Sequence, residues 1–318
     1  MQVKGISFIK NWMLPIAIVL GISIYLILHW LPGSADIAYI SVAKRLQPTL
    51  LSIMLFLQLN TVAPGDLRLH KWHFICLGLQ AVLFAGLAAV CIRTPEGNAR
   101  ILLESAMLCF ICPTAAAAGV ITSKIGGSLS GIMTYTVLID FLVALVIPAS
   151  IPLIHPETDI NFLLAFWAII RKVCAILVLP CLLAWLIRYC MPGLQKWLAK
   201  YVGWAFYIWG IGLVLAMSLA TRSLVSSRIA WWVAVLIGVI SLVCCIFQFW
   251  LGRRIARGYG NSERITAGQA LGQKNTGFII WLGFTYMTPV SSVAGGLYAI
   301  WHNLVNSWEL YQARKGTL

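Results

Sequence analysis

Between Ala230 and Leu251 the chain carries no charged residue, and stretches of similar character recur along its whole length. A hydrocarbon core ~30 Å thick, crossed at ~1.5 Å per residue, asks for about 20 apolar residues in a helix. That ruler divides the chain into ten predicted spans: Trp12–Trp30, Leu46–Val62, Trp72–Ile92, Ile101–Ser123, Leu129–Leu153, Phe162–Tyr189, Tyr201–Ala220, Ala230–Leu251, Ile265–Met287 and Pro289–Leu310. The connectors reach about a dozen residues at most, as in Leu31–Arg45 and Gly252–Arg264, which leaves no room for a soluble domain. Residues 1–318 are therefore expected to form a single transmembrane domain.

Composition agrees. The chain is 61% hydrophobic and 10% charged, where soluble domains carry about a quarter charged residues. Its mean hydropathy is +0.90. The net charge of +14 lies in short connectors between apolar runs, the pattern of topology signals and not of a nucleic-acid surface. With the N-terminus inside, fourteen lysines and arginines fall on inner segments and eight on outer ones, counting Arg171 and Lys172 outside. Both termini are thus expected in the cytoplasm, with the protein in the plasma (inner) membrane. Lys4 and Lys10 before an apolar run of about 19 residues resemble a signal peptide, but no small-x-small cleavage site follows, so a retained first span is expected.

Two stretches break the apolar pattern. Cys112-Pro113-Thr114-Ala115-Ala116-Ala117-Ala118-Gly119 interrupts the fourth span. Gly268-Gln269-Ala270-Leu271-Gly272-Gln273-Lys274-Asn275-Thr276-Gly277 puts three amides, a lysine and a threonine into the ninth. A charge at bilayer depth costs roughly 2.5–3.5 kcal/mol on insertion scales, so such residues face a cavity or a partner. Ten spans divide into two fives, about 12–153 and 160–310, and an odd number per half makes related halves inverted. Interrupted helices at matching places in the two halves point to a transporter's central site.

Lys274 is the sharpest residue of the set. It either binds an anion, replaces a bound cation or carries a proton, or else it ties helix-end carbonyls or snorkels to the interface. Its candidate charge partners are Glu104 and Asp140. Thr114, Gln273, Asn275 and Thr276 can donate and accept around a substrate. Gln58, Asn60, Gln80 and the pair His302-Asn303 suit bonds between helices. Cys109 and Cys112 form a CxxC in an apolar run with no second pair, expected as buried thiols. No metal site, resident cofactor or catalytic motif is visible, so an enzyme is not expected.

Several segments together resemble the bile acid:sodium symporter family. They are Leu50–Leu69, Cys112-Pro113 with its small residues, Gly272-Gln-Lys-Asn-Thr-Gly277 and Trp301-His302-Asn303-Leu304. The resemblance covers the whole chain in order. It implies an all-α fold in which the broken fourth and ninth helices cross in a core domain, packed on a panel of the first, second, sixth and seventh. It also implies transport of organic anions, such as bile acids, steroid conjugates or smaller carboxylates, by alternating access. The departures fall on the family's cation sites. The glutamate two residues before the crossover glycine is Ala270, the glutamine before the asparagine is Lys274, and the serine-asparagine pair of the first crossover is Ala118 and Gly119. Gln80 and Thr136 keep family cation-site positions. The expectation is that Lys274 fills the volume of a lost sodium, leaving transport independent of sodium or coupled to protons. Two alternatives stand beside it: a binding or sensory membrane protein on the same scaffold, and an efflux permease for inorganic oxyanions.

Overall fold

The computed structural model describes residues 2–30, 35–115, 118–156, 162–226 and 230–316. Ala116 and Ala117, both named above, and the start of the second half at residue 160 lie outside them. Among the described residues the fold is all-α, with a single isolated antiparallel bridge and no strand. The helices are α1 (Gln2–Trp30), α2 (Ala35–Leu59), α3 (Lys71–Arg93), α4 (Asn98–Ile111), α5 (Ala118–Lys124), α6 (Leu129–Ile154) and α7 (Phe162–Cys190). They continue as α8 (Pro192–Ala199), α9 (Ala205–Ser226), α10 (Trp231–Ile255), α11 (Asn261–Gly272), α12 (Thr276–Tyr286) and α13 (Val293–Arg314).

By length and composition, Ile37–Leu59, Lys71–Arg93, Leu129–Ile154 and Trp231–Tyr259 can each cross a membrane. A fifth candidate is α7, taken as one span of two arms, Phe162–Ile176 and Val178–Cys190, bent by 44°. Pro180 accounts for the bend, because it has no N–H for the carbonyl of Ile176 and its ring crowds that carbonyl. Ile16–Trp30, Gly210–Arg222 and Thr276–Tyr286 are shorter apolar helices. The second predicted span starts earlier than expected, at Ala35 instead of Leu46. Arg45, exposed on α2, extends the helix with a charge that stays outside the packed face.

Two groups of helices pack internally. In one, α1 lies on α9, while α2 lies on both α9 and α7. In the other, α3 packs on α4 and α6, and α10 packs on α11, α13 and α4. α12 touches members of both groups, α13 on one side and α9 and α2 on the other. Small residues set the closest crossings. A Cβ on Gly252 of α10 would run into the carbonyl of Ala267, and one on Gly272 of α11 would enter the Phe249 ring. α10 and α11 therefore approach backbone to backbone, as glycine allows between membrane helices.

Candidate functional site: two crossed helix breaks

The fourth and ninth predicted spans are each two helices joined by a non-helical segment, and those segments meet. Ala115 N–H donates to Gln273 O (3.0 Å) and Asn275 N–H to Pro113 O (2.9 Å). Thr114 and Lys274 form the antiparallel bridge between them. A helix that stops inside the protein leaves the carbonyls of its last turn without partners. Here side chains supply the partners. The Lys274 ammonium donates to Phe110 O of α4 at 3.2 Å. Thr114 Oγ1 donates to Ala270 O of α11 at 2.9 Å. Tyr298 OH reaches Gly272 O (2.9 Å), Gln248 Nε2 reaches Cys109 O (3.1 Å), and Gln80 Nε2 reaches Cys112 O (3.2 Å). Gln80 is itself held by the hydroxyl of Tyr135 at 2.9 Å.

Lys274 is thus a buried cation, 1% exposed, seated on the negative end of a half-helix. Its backbone N–H donates to Nδ1 of His302 at 3.3 Å, which places His302 in a packing and bonding role. Neither Glu104 nor Asp140 comes within ion-pair distance of Lys274. Glu104, wholly buried, faces Arg100 (3.4 Å) and His155 (3.0 Å), and accepts from the N–H (2.8 Å) and hydroxyl (3.1 Å) of Thr288. It ties α4 to the turn before α13. Asp140, on α6, has no hydrogen-bond partner for either oxygen among the described residues.

The remaining residues named from the sequence distribute themselves around this crossing. Gln273 gives its carbonyl to Ala115 and its side-chain amide to Gln269. Asn275 caps α12, accepting from Phe278 N–H at 3.2 Å, while its Nδ2 has no partner among the described residues. Thr276 begins α12. Ala118 and Gly119 begin α5, and a Cβ on Gly119 would touch Leu129 and Met133 of α6. Thr136 on α6 returns its hydroxyl to Ile132 O at 2.9 Å. Cys109 and Cys112 are buried free thiols, Cys112 Sγ donating to Asn275 O at 3.0 Å.

The N-terminus of α12 opens between the two helix groups. Asn275, Thr276 and Gly277 line a small pocket with Leu50, Leu51 and Met54 of α2 and Leu213 of α9. A larger cleft of about 610 Å³ lies between α2, α7 and α12 and includes Arg45, Thr49, Ser52, Lys172, Trp281 and Thr285. Lys172 also sits 5.7 Å above the ring of Tyr286. Arg45 and Lys172 had counted only as topology charges in the sequence, since nothing local distinguishes a loop cation from one that lines a cleft.

A second polar chain runs away from the crossing. Arg253 Nη2 meets Glu309 at 2.5 Å, Gln269 Nε2 donates to Glu309 (2.5 Å) and to Asn306 (3.3 Å), and Gln273 donates to Gln269. It links α10, α11 and α13 through buried groups that satisfy one another. The chain matches no protein-family model and no curated protein.

Proposed function

We propose that the protein is a secondary transporter of an organic anion, working by alternating access on a scaffold of the bile acid:sodium symporter type. α1, α2, α7 and α9 would form the panel, and the helices around the two breaks the core. Ten spans in two inverted halves would account for the packing of α3 on α4 and of α10 on α11, in each case the helix before a break on the first arm of the broken span. The observation that carries the reading is the Lys274 ammonium on Phe110 O, where half-helix C-termini in transporters hold a coupling cation.

The anion preference rests on three features that point the same way. The positive end of α12 faces the panel, the free Nδ2 of Asn275 lies at that end, and the adjoining cleft carries Arg45 and Lys172. With Leu50, Leu51 and Met54 alongside, this suits an amphipathic acid: an apolar body with a carboxylate or sulfonate. Sodium is not required, since Ala270 offers no carboxylate and Lys274 already supplies the positive charge. Movement of α2 and α9 against α12 would expose the site alternately on the two sides. Both termini would lie in the cytoplasm.

Counterflow in proteoliposomes tests this. Vesicles preloaded with taurocholate or a smaller carboxylate should exchange labelled anion saturably, equally well in sodium and in choline. Saturable binding without exchange favours the binding-protein alternative, and uptake that demands a sodium gradient sinks the reading.

A further inference from the structure

Asp140 stands apart from the other carboxylates of the interior. Glu104 is held by Arg100, His155 and Thr288, Glu263 by Trp72 Nε1 at 3.0 Å, and Glu309 by Arg253 and Gln269. Asp140 is 3% exposed on α6, and neither of its oxygens is bonded among the described residues. An ionised carboxylate cannot be kept in such a place without a cation or donors, so the group must take up a proton or a positive ion. Among the described residues, no arginine, lysine or histidine from the helices packed on α6 pairs with it. Among the described residues, Cys112, in the first break, and Cys181, on α7, lie within its electrostatic reach.

Its position matters as much as its isolation. Thr136 is one turn before it on α6, and residues four apart share a helix face. Cys181 directly follows Pro180 in α7, one turn beyond the meeting of its two arms. Cys112 lies within electrostatic reach of both Asp140 and Lys274. The carboxyl is therefore close enough to both the first break and α7 for a thiol on each to feel its charge, and α6 packs directly on α7. Sliding of α7 against α6 would change its access to water.

We infer that Asp140 is a reversible proton-binding site, and that the proton is the coupling ion of this protein. In the loading step a proton passes from hydronium to one carboxylate oxygen, leaving water and a neutral carboxyl. The reverse step returns the proton to water and leaves the carboxylate. The coupling role rests on the transporter reading, whereas the protonation itself does not.

Infrared titration of the purified protein separates the two. A protonated carboxyl free of hydrogen bonds absorbs at the high end of the carbonyl range, apart from carboxylate bands. The wild type should show this band at low pH and lose it as pH rises; Asp140→Asn should lack it at every pH, while Glu263→Gln, at a half-buried carboxylate, should retain it. A band still present in Asp140→Asn overturns the assignment. So does a wild-type band that persists unchanged across the whole pH range, which would mark a permanently neutral side chain. Thermal melting of Asp140→Asn checks that the isosteric variant is folded. If it is not, the wild-type band and its pH dependence, with each of the remaining buried acids replaced in turn, decide the question. Counterflow is measured separately. Its failure alongside a normal titration removes the transport reading and leaves the proton site standing.

Discussion

Thr114 and Lys274 pair across the two helix breaks, and each side chain caps the half-helix that ends in the other's break. The exchange is reciprocal: threonine to Ala270 O of α11, lysine to Phe110 O of α4. Loss of either partner leaves a buried carbonyl bare.

Removing the charged cap should cost more than removing the neutral one. Hydrogen bonds to charged groups contribute about 1.5–3 kcal/mol and neutral ones around 1 kcal/mol. Lys274→Gln is expected to lower the melting temperature in detergent more than Thr114→Ala does. The double variant should lose less than the sum, because the two sites share one contact. Unchanged melting of Lys274→Gln would refute the capping role.

If the Lys274 ammonium stands in place of a sodium ion, as proposed, a linkage should be missing. An ion that binds only the native state at 100 times its dissociation constant raises stability by about 2.7 kcal/mol. Exchanging sodium for choline should leave the melting curve of the wild type where it was. Ala270→Glu combined with Lys274→Gln restores the acidic and neutral residues of the resembled family, and this variant should gain stabilisation by sodium. A sodium shift in the wild type would contradict the substitution.

Charges in the cleft should steer the substrate more than they hold the fold. Arg45→Ser and Lys172→Ser are each expected to raise the half-saturating anion concentration roughly two- to fivefold, the effect of about 0.5–1 kcal/mol from an exposed charge pair. The effect should shrink in high salt. Melting temperatures should stay within a degree or so of the wild type. An unaltered concentration dependence in both variants would remove the cleft from the substrate's path.

Glu104 is predicted to be structural. Breaking a buried pair by removing one member typically costs 3–5 kcal/mol, so Glu104→Ala should fail to accumulate or should melt far below the wild type. Gly252→Val tests the tight crossing of α10 and α11 in the same way, because the added side chain meets the carbonyl of Ala267. Overpacking of this kind costs about 1–3 kcal/mol. Normal yield and melting of both variants would show that the contacts tolerate adjustment.

Much of this site is legible in the residues alone. Pro113 and the polar run from Gln273 to Thr276 cannot continue an apolar helix, and the structure breaks there. Asn275 and Thr276 fall at the start of α12. What the sequence hides is pairing. Thr288 reaches Glu104 from 184 residues away, so the carboxylate that looked available to Lys274 is already engaged. Asp140 looked like the other candidate partner, and only three-dimensional packing reveals that no cation among the described residues pairs with it. Arg45 read as a loop charge because the apolar run that marks the second span begins only at Leu46. Once α2 extends back to Ala35, the same arginine faces a cleft. Periodicity locates helices, but it carries no information on which orphan carbonyl a distant side chain will cover.

The reciprocal caps also bear on biogenesis. While the ribosome is still making the second half, Phe110 O and Cys109 O at the end of α4 have neither Lys274 nor Gln248 to meet them. The first half alone cannot reach its final form in lipid, where a bare carbonyl has no water to turn to. Chains truncated before Lys274 should therefore be handled as unfinished by quality-control proteases. Two fragments split in the connector between α6 and α7, made together, should rescue each other.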